Sequence, residues 1–360
     1  MSHQSDDSNP RRAFTWQAFL AQISQLKMQT ITPRLFKDLL ILATGSALAV
    51  ALRYALFGFE SVDYLEYTSK WFDFIQTHGG FAALRFNFSN YTPPYLYLLA
   101  ISAGLLSSFP KIIAIKIVSI PFEFLCAFFV AKILRLKTRT GLGSLAAFLV
   151  ILFTPTVVLN GGLWGQSDII YTTGLVATVY FLIQGKEWQA FVAFGLAFAF
   201  KLQTMFLAPV LLILVLAKRV SWRSLALIPM SYMVMMAPAW AAGRPLIELL
   251  TIYFSQSTAT ERLATSAPNL YVWLPNDAFD TLFTAGLVWA SGVILIFIYA
   301  AHRVRSQMTP GLLIEISTIS VLLTPYILPK MRQRYFFPAD IFSILFAFFY
   351  PKYLIVPVLV

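Results

Sequence analysis

Windows of about 20 apolar residues recur along this chain, separated by short turns that carry Lys and Arg, and that pattern leaves few folds open. A helix of that length crosses the ~30 Å hydrocarbon core of a bilayer. It also satisfies its own backbone hydrogen bonds where no water can. With 58% hydrophobic residues and a mean hydropathy of +0.72, the chain is more apolar than ordinary globular domains. The reading is an all-α polytopic membrane protein. Candidate helices lie near 39–58, 93–109, 112–134, 142–160, 168–184, 188–200, 202–217, 224–242, 281–301, 311–328 and 336–350, a bundle of about 10–11 transmembrane helices. Residues 1–38 read as a cytosolic N-terminal tail, weakly amphipathic near 14–28, and residues 39–360 as a single membrane domain.

The net charge of +11 does not call for nucleic acid, because the bases sit in the tail and the inter-helix turns. Arg11, Arg12, Lys27, Arg34 and Lys37 precede the first helix. Arg135, Lys137, Arg139, Lys186, Lys218, Arg219, Arg223, Arg303 and Arg305 follow in later turns. Placing these in the cytosol puts four other segments on the far side: 59–92, 162–168, 243–280 and 329–338. The parity works only if 93–109, which is short and begins at Pro93-Pro94, is tilted or partly inserted. The pair 188–200 and 202–217 reads as a broken hairpin with Lys201 and Gln203 at its tip, where irregular backbone borders an aqueous cavity. The abrupt end in YLIVPVLV reads as a lost span or a fragment.

The far-side segments hold the candidate chemistry. Loop 59–92 carries Glu60, Asp63, Glu66 and Asp73 in a chain where 12% of residues are charged, and acids beside a membrane core usually mark chemistry or transport. Tyr64, Tyr67, Trp71, Phe74 and Ile75 recur at helical spacing and Gly79-Gly80 ends the run, so an amphipathic helix is predicted in the headgroup layer. Glu66 and Asp73 then belong to its solvated face. Asp63, a few residues past Phe57, is the functional candidate, with Glu60 as an auxiliary. In the turn 160–168, Ser167 or Asp168 suits a helix cap. Trp164 and Gln166 beside them equally suit a sugar face and its hydroxyls.

Lys201 ends an apolar helix and either snorkels or faces the site. Lys330, Arg332 and Arg334, followed by Tyr335, put three bases where positive charge is normally sparse. That fits a bound phosphate, the other reading being a cytosolic turn. The methionines at 230, 233, 235 and 236 read as packing, and Tyr271–Asn276 as an interfacial anchor. Cys126 is the single cysteine, and His3, His78 and His302 are scattered, so no disulfide or His/Cys metal site is expected. No P-loop, dinucleotide glycine motif or nucleophile elbow is present.

Taken in order, SVDY (61–64), SNYTPPYLYLL (89–99), GLWGQSD (162–168), GLAFAFKLQ (195–203) and LPKMRQRYFFPAD (328–340) resemble the GT-C superfamily of membrane glycosyltransferases. The likeness is to the mannosyltransferase group related to the second mannosyltransferase of GPI-anchor assembly, and it spans about residues 60 to 340. The resemblance implies an inverting transfer of a sugar, mannose in that group, from a polyprenyl-phosphate donor to a glycan or glycolipid acceptor on the non-cytosolic face. It implies Asp63 as general base, Asp168 in a second polar turn, and Lys201, Arg332 and Arg334 near the donor phosphate. It also marks two departures. Ser61 stands where relatives carry one of a pair of acids, so a divalent metal is left open and no other cofactor is called for. Arg332-Gln333 stands where relatives tend to read His-Glu. A lipid or solute transporter and a non-catalytic subunit of a glycosylation complex remain alternatives. A bacterial inner membrane is the expected location, with the endoplasmic reticulum as the alternative.

Overall fold

The computed structural model describes residues 32–138, 141–257 and 261–360. The amphipathic stretch near 14–28 and the bases at 11, 12, 27 and 139 lie outside them. The chain divides into Met1–Ala43 and Thr44–Val360, and the architecture below concerns the second unit. Helix α1, Pro33–Leu56, begins six residues before the expected 39, taking Lys37 and Asp38 into its first turns. Pro at its first position has no N–H to lose there, which suits a helix start.

The protein is an all-α, multi-pass membrane protein. Among the described residues, five helices are long and apolar enough to cross a bilayer: α1, α4 (Lys111–Lys137), α9 (Trp222–Ala241), α11 (Phe279–Arg303, within an apolar helical stretch from Asn276) and α12 (Pro310–Ile327). A sixth span is bent by 44° between α5 (Gly141–Phe153) and the segment Pro155–Leu163. The remaining candidates are shorter. They are α3 (Pro93–Leu105), α6 (Asp168–Ile183), α7 (Glu187–Phe200) and α8 (Leu202–Leu216); a further short helix, α10 (Leu246–Ser257), lies in the segment 243–280 expected as a far-side loop. The expected run 142–160 is thus interrupted at Thr154, and the break expected at Lys201 is present. Helix α3 is about 20 Å long at 1.5 Å per residue. Its preceding residue Thr92 is tied to the end of α7, Oγ1 donating to Phe200 O (3.0 Å), and Lys111 beyond its other end pairs with Asp73 of the 59–92 loop at 2.8 Å.

Close backbone approach builds the centre. A Cβ on Gly174 of α6 would lie 2.6 Å from Ala197 Cβ of α7, and one on Gly195 of α7 would lie 2.7 Å from Ser231 Cβ of α9. Small residues at such crossings let helices pack by dispersion where lipid removes the hydrophobic drive. At one end the polar loops gather. Arg244 donates to Asn87 (2.5 Å), Gln256 to Asn90 O (2.5 Å), and β1 (Ala264–Thr265) pairs in parallel with β2 (Met331–Arg332). At the other end the basic turns meet: Glu187 accepts from Ser221 N (2.6 Å), and Arg219 donates to Arg305 O (3.2 Å). The last main helix, α13, spans Phe337–Phe349.

Candidate functional site

The 59–92 loop does fold around a helix, α2 (Ser69–Thr77), preceded by a π-helical turn over Tyr64–Thr68. Its buried face is Trp71, Phe72 and Ile75, with Tyr64 buried in the preceding turn; of the residues expected on that face, Tyr67 is exposed and Phe74 half-buried. The helix ends at His78, and Gly79 follows with φ +79°, a left-handed conformation that glycine adopts without a Cβ clash. Glu66 pairs with exposed Lys70 at 2.9 Å, and Asp73 with Lys111, so both acids stay on the surface.

Asp63 stands at the start of the π-helical turn. Its position is set from below. Ser61 Oγ accepts from Tyr64 N (3.1 Å) and donates to Trp164 O (2.7 Å), tying the loop to the 160–168 turn. Lys116 is buried and reaches across both segments, donating to Phe57 O (3.0 Å), Phe59 O (2.6 Å) and Leu163 O (2.7 Å). Ser119 adds a bond to Gln166 O at 2.9 Å. Beneath the turn, Arg53 pairs with Glu123 and donates to Ala49 O (2.8 Å) and Leu152 O (2.7 Å). The turn itself contains a second π-helical segment, Val158–Leu163, and Gly165 at φ +67°. Such π-turns recur near functional sites because they re-aim side chains without breaking the helix.

Two ion pairs face one another across this end of the molecule. Asp63 Oδ2 accepts from Gln166 Nε2 and from Arg334 Nη1, the latter at 3.0 Å. Among the described residues its Oδ1 carries no hydrogen bond. Asp168, fully buried, accepts from Lys201 Nζ at 2.5 Å and from Asn160 Nδ2 at 3.0 Å. Its neighbour Ser167 makes no side-chain cap bond, so simple capping does not describe this turn. Lys201 leaves α7 in an extended conformation, φ −151° and ψ 139°, at the point held by Thr92. Its ammonium lies 5.2 Å over the Tyr91 ring and 5.8 Å from that of Tyr171. Burial opposes the charge on Arg334, but Tyr91, Asp168 and Asp63 around it outweigh that, and its pKa is raised above the usual guanidinium value. It remains a cation through the whole neutral range. Among the described residues, Asn160 Oδ1 and Arg334 Nε are buried with no hydrogen-bond partner.

The structure therefore brings Asp63, Gln166, Asp168, Lys201 and Arg334 together, and separates other candidates from them. Lys330 has a left-handed backbone (φ 63°), and its ammonium lies 5.1 Å and 4.7 Å over the Phe279 and Phe283 rings of α11. Arg332 is half-buried on β2, and among the described residues its side chain has no ion pair or hydrogen bond. Glu60 is exposed and likewise unbonded there. Trp164 contributes its carbonyl and is itself 45% exposed, Gln203 is half-buried, and half-buried Tyr335 acts electrostatically on Arg334. Ser61 is a structural hydroxyl where the resemblance would put a second acid. Among the described residues no group of three or more His, Cys, Asp or Glu side chains could hold a metal ion.

Sequence reasoning did not single out Asn160, Tyr91, Tyr171, Lys116 or the Arg53–Glu123 pair. Lys116 and Glu123 carried a signal, since both are charges inside the apolar run 111–137. No family model matches this chain, and no curated protein matches it either.

Proposed function

We propose that the chain is an inverting glycosyltransferase that moves a sugar, mannose by the resemblance, from a polyprenyl-phosphate donor to an acceptor hydroxyl on the non-cytosolic face. The observation that carries the reading is the facing of two carboxylates by two cations at the polar end, opposite the basic turns: Asp63 with Arg334, and Asp168 with Lys201. In this mechanism Asp63 Oδ1, the oxygen not engaged by Gln166 or Arg334, accepts the proton of the acceptor hydroxyl as its oxygen attacks the anomeric carbon. The bond from that carbon to the phosphate oxygen breaks. The negative charge that develops on the phosphate is stabilised by Arg334, whose Nε donor is uncommitted, and by the field of Lys201. Asp168 fixes Lys201 in place, and Asn160 offers an acceptor to a sugar hydroxyl. Partners on this reading are the lipid-linked donor, a glycan or glycolipid acceptor and the surrounding lipid. The membrane is the bacterial inner membrane, with the endoplasmic reticulum as the alternative.

The broken helix at Lys201 is also a transporter-like feature. Proteoliposomes separate the two readings. Supplied with labelled polyprenyl-phosphomannose and a lipid-linked acceptor extract, the enzyme yields a labelled product that disappears in Asp63→Asn. Absence of transfer from any polyprenyl-phosphate sugar sinks the enzyme reading, and flux of intact lipid or solute without transfer supports the transporter.

A further inference from the structure

Away from this site, at the basic end, two cavities adjoin. Their volumes are about 240 and 200 Å³, and they share Ile183, Thr309 and Pro310 as common wall. Each is several times the ~30 Å³ that a water occupies. Their linings are mostly apolar, with one cation at each: Lys137 on the first and Arg219 on the second. Lys137 Nζ donates to Phe349 O and lies 4.6 Å over the Phe349 ring and 5.4 Å from that of Tyr350. Arg219 donates to Arg305 O at 3.2 Å. Among the described residues neither cation has a carboxylate partner. One carbonyl bond leaves donors over on each, since an ammonium has three and a guanidinium five.

An apolar groove flanked by two cations without counter-anions, at the end where the basic turns collect, matches an amphiphile with a negative head. We infer that this groove binds one anionic phospholipid of the inner leaflet, the phosphodiester between Lys137 and Arg219 and an acyl chain along Ile133, Leu136 and Ile183. Such leaflets carry the acidic lipids that basic inter-helix pockets select. Selection works through charge, because a zwitterionic head brings its own cation into a site that already holds two. This inference does not depend on the reaction proposed above.

The test is native mass spectrometry of the full chain in mild detergent, titrated with phosphatidylglycerol or phosphatidylcholine of identical chains. Two cations predict a preference of roughly 30-fold for the anionic lipid. Lys137→Gln with Arg219→Gln should abolish most of that preference. Arg303→Gln, an exposed base stacked on Tyr299, should leave it unchanged. Equal retention of both lipids, or an equal loss in Arg303→Gln, overturns the inference. Should the double variant fail to fold, photo-crosslinking of wild type with a diazirine phosphatidylglycerol decides. Adducts in 133–137, 309–313 or 349–350 support the site, and adducts confined to other segments overturn it.

Discussion

The Asp168–Lys201 pair offers a measurement that needs no substrate. Asp168 has no exposed surface and the Lys201 side chain retains 11% of its own, at an N···O separation of 2.5 Å. Asp168→Asn leaves the ammonium facing the Tyr91 and Tyr171 rings, with no anion in contact. An uncompensated buried charge of this kind costs about 3–5 kcal/mol. Lys201→Met strands the carboxylate instead. Its cost falls toward the lower part of that range because Arg334 still acts on Asp168 electrostatically. Removing both charges together removes the stranded ion. The double variant should therefore be far less destabilised than the singles add up to, with a coupling of roughly 3 kcal/mol. At ~2.1 cal/mol/K of unfolding entropy per residue, Asp168→Asn corresponds to a fall in Tm of roughly 4–7 °C for a chain of 360 residues. Tryptophan fluorescence melts of the four proteins in one detergent read all terms of the cycle. Additive losses, or an Asp168→Asn variant melting with wild type, would show that the pair is solvated and that the site is not a buried ion pair.

Four further outcomes follow from the structure. Asp63→Asn should lower sugar transfer by about 10²–10⁴-fold while the melting temperature stays near wild type, since Asp63 and Arg334 are each partly exposed. Lys116→Met leaves three carbonyls without their donor and should cost about 3 kcal/mol. The accompanying rise in hydrogen exchange should localise to 57–63 and 163–168, and a uniform rise across the helices would refute the clamp. Gly161→Ala places a methyl group against Glu123 Oε1 and should destabilise by about 1–3 kcal/mol. Gly292→Ala, with nothing within 4 Å of its added methyl, should stabilise α11 by up to about 1 kcal/mol. Thermal melts of the two glycine variants give opposite signs if the packing is as described.

What the sequence made legible was the part governed by local pattern. Apolar periodicity located nearly every helix, and the positions of the basic turns separated the two ends that the folded chain assembles. Asp63 stood out because an acid just beyond a span is rare. Its partner Arg334 lies 271 positions away, and nothing in a hydropathy pattern couples them. The three bases at 330–334 looked equivalent in sequence. The left-handed backbone at Lys330 and the strand pairing of Arg332 with Thr265 send those two elsewhere, and only Arg334 reaches the acids. Arg53, Lys116 and Glu123 escaped notice for the opposite reason, since one charge in an apolar window barely changes its mean. Yet a buried, hydrogen-bonded ion is what a membrane protein uses to fix one polar segment against another, because lipid offers no competing donor or acceptor. Lys116 joins the approach to Asp63 to the turn bearing Gln166, and Arg53 with Glu123 supports that turn from within the bundle. Asp63 and the turn bearing Gln166 and Asp168 are therefore positioned by charges the hydropathy average conceals, and substitutions in the apolar interior of α1 and α4 should disturb the site as directly as substitutions beside it.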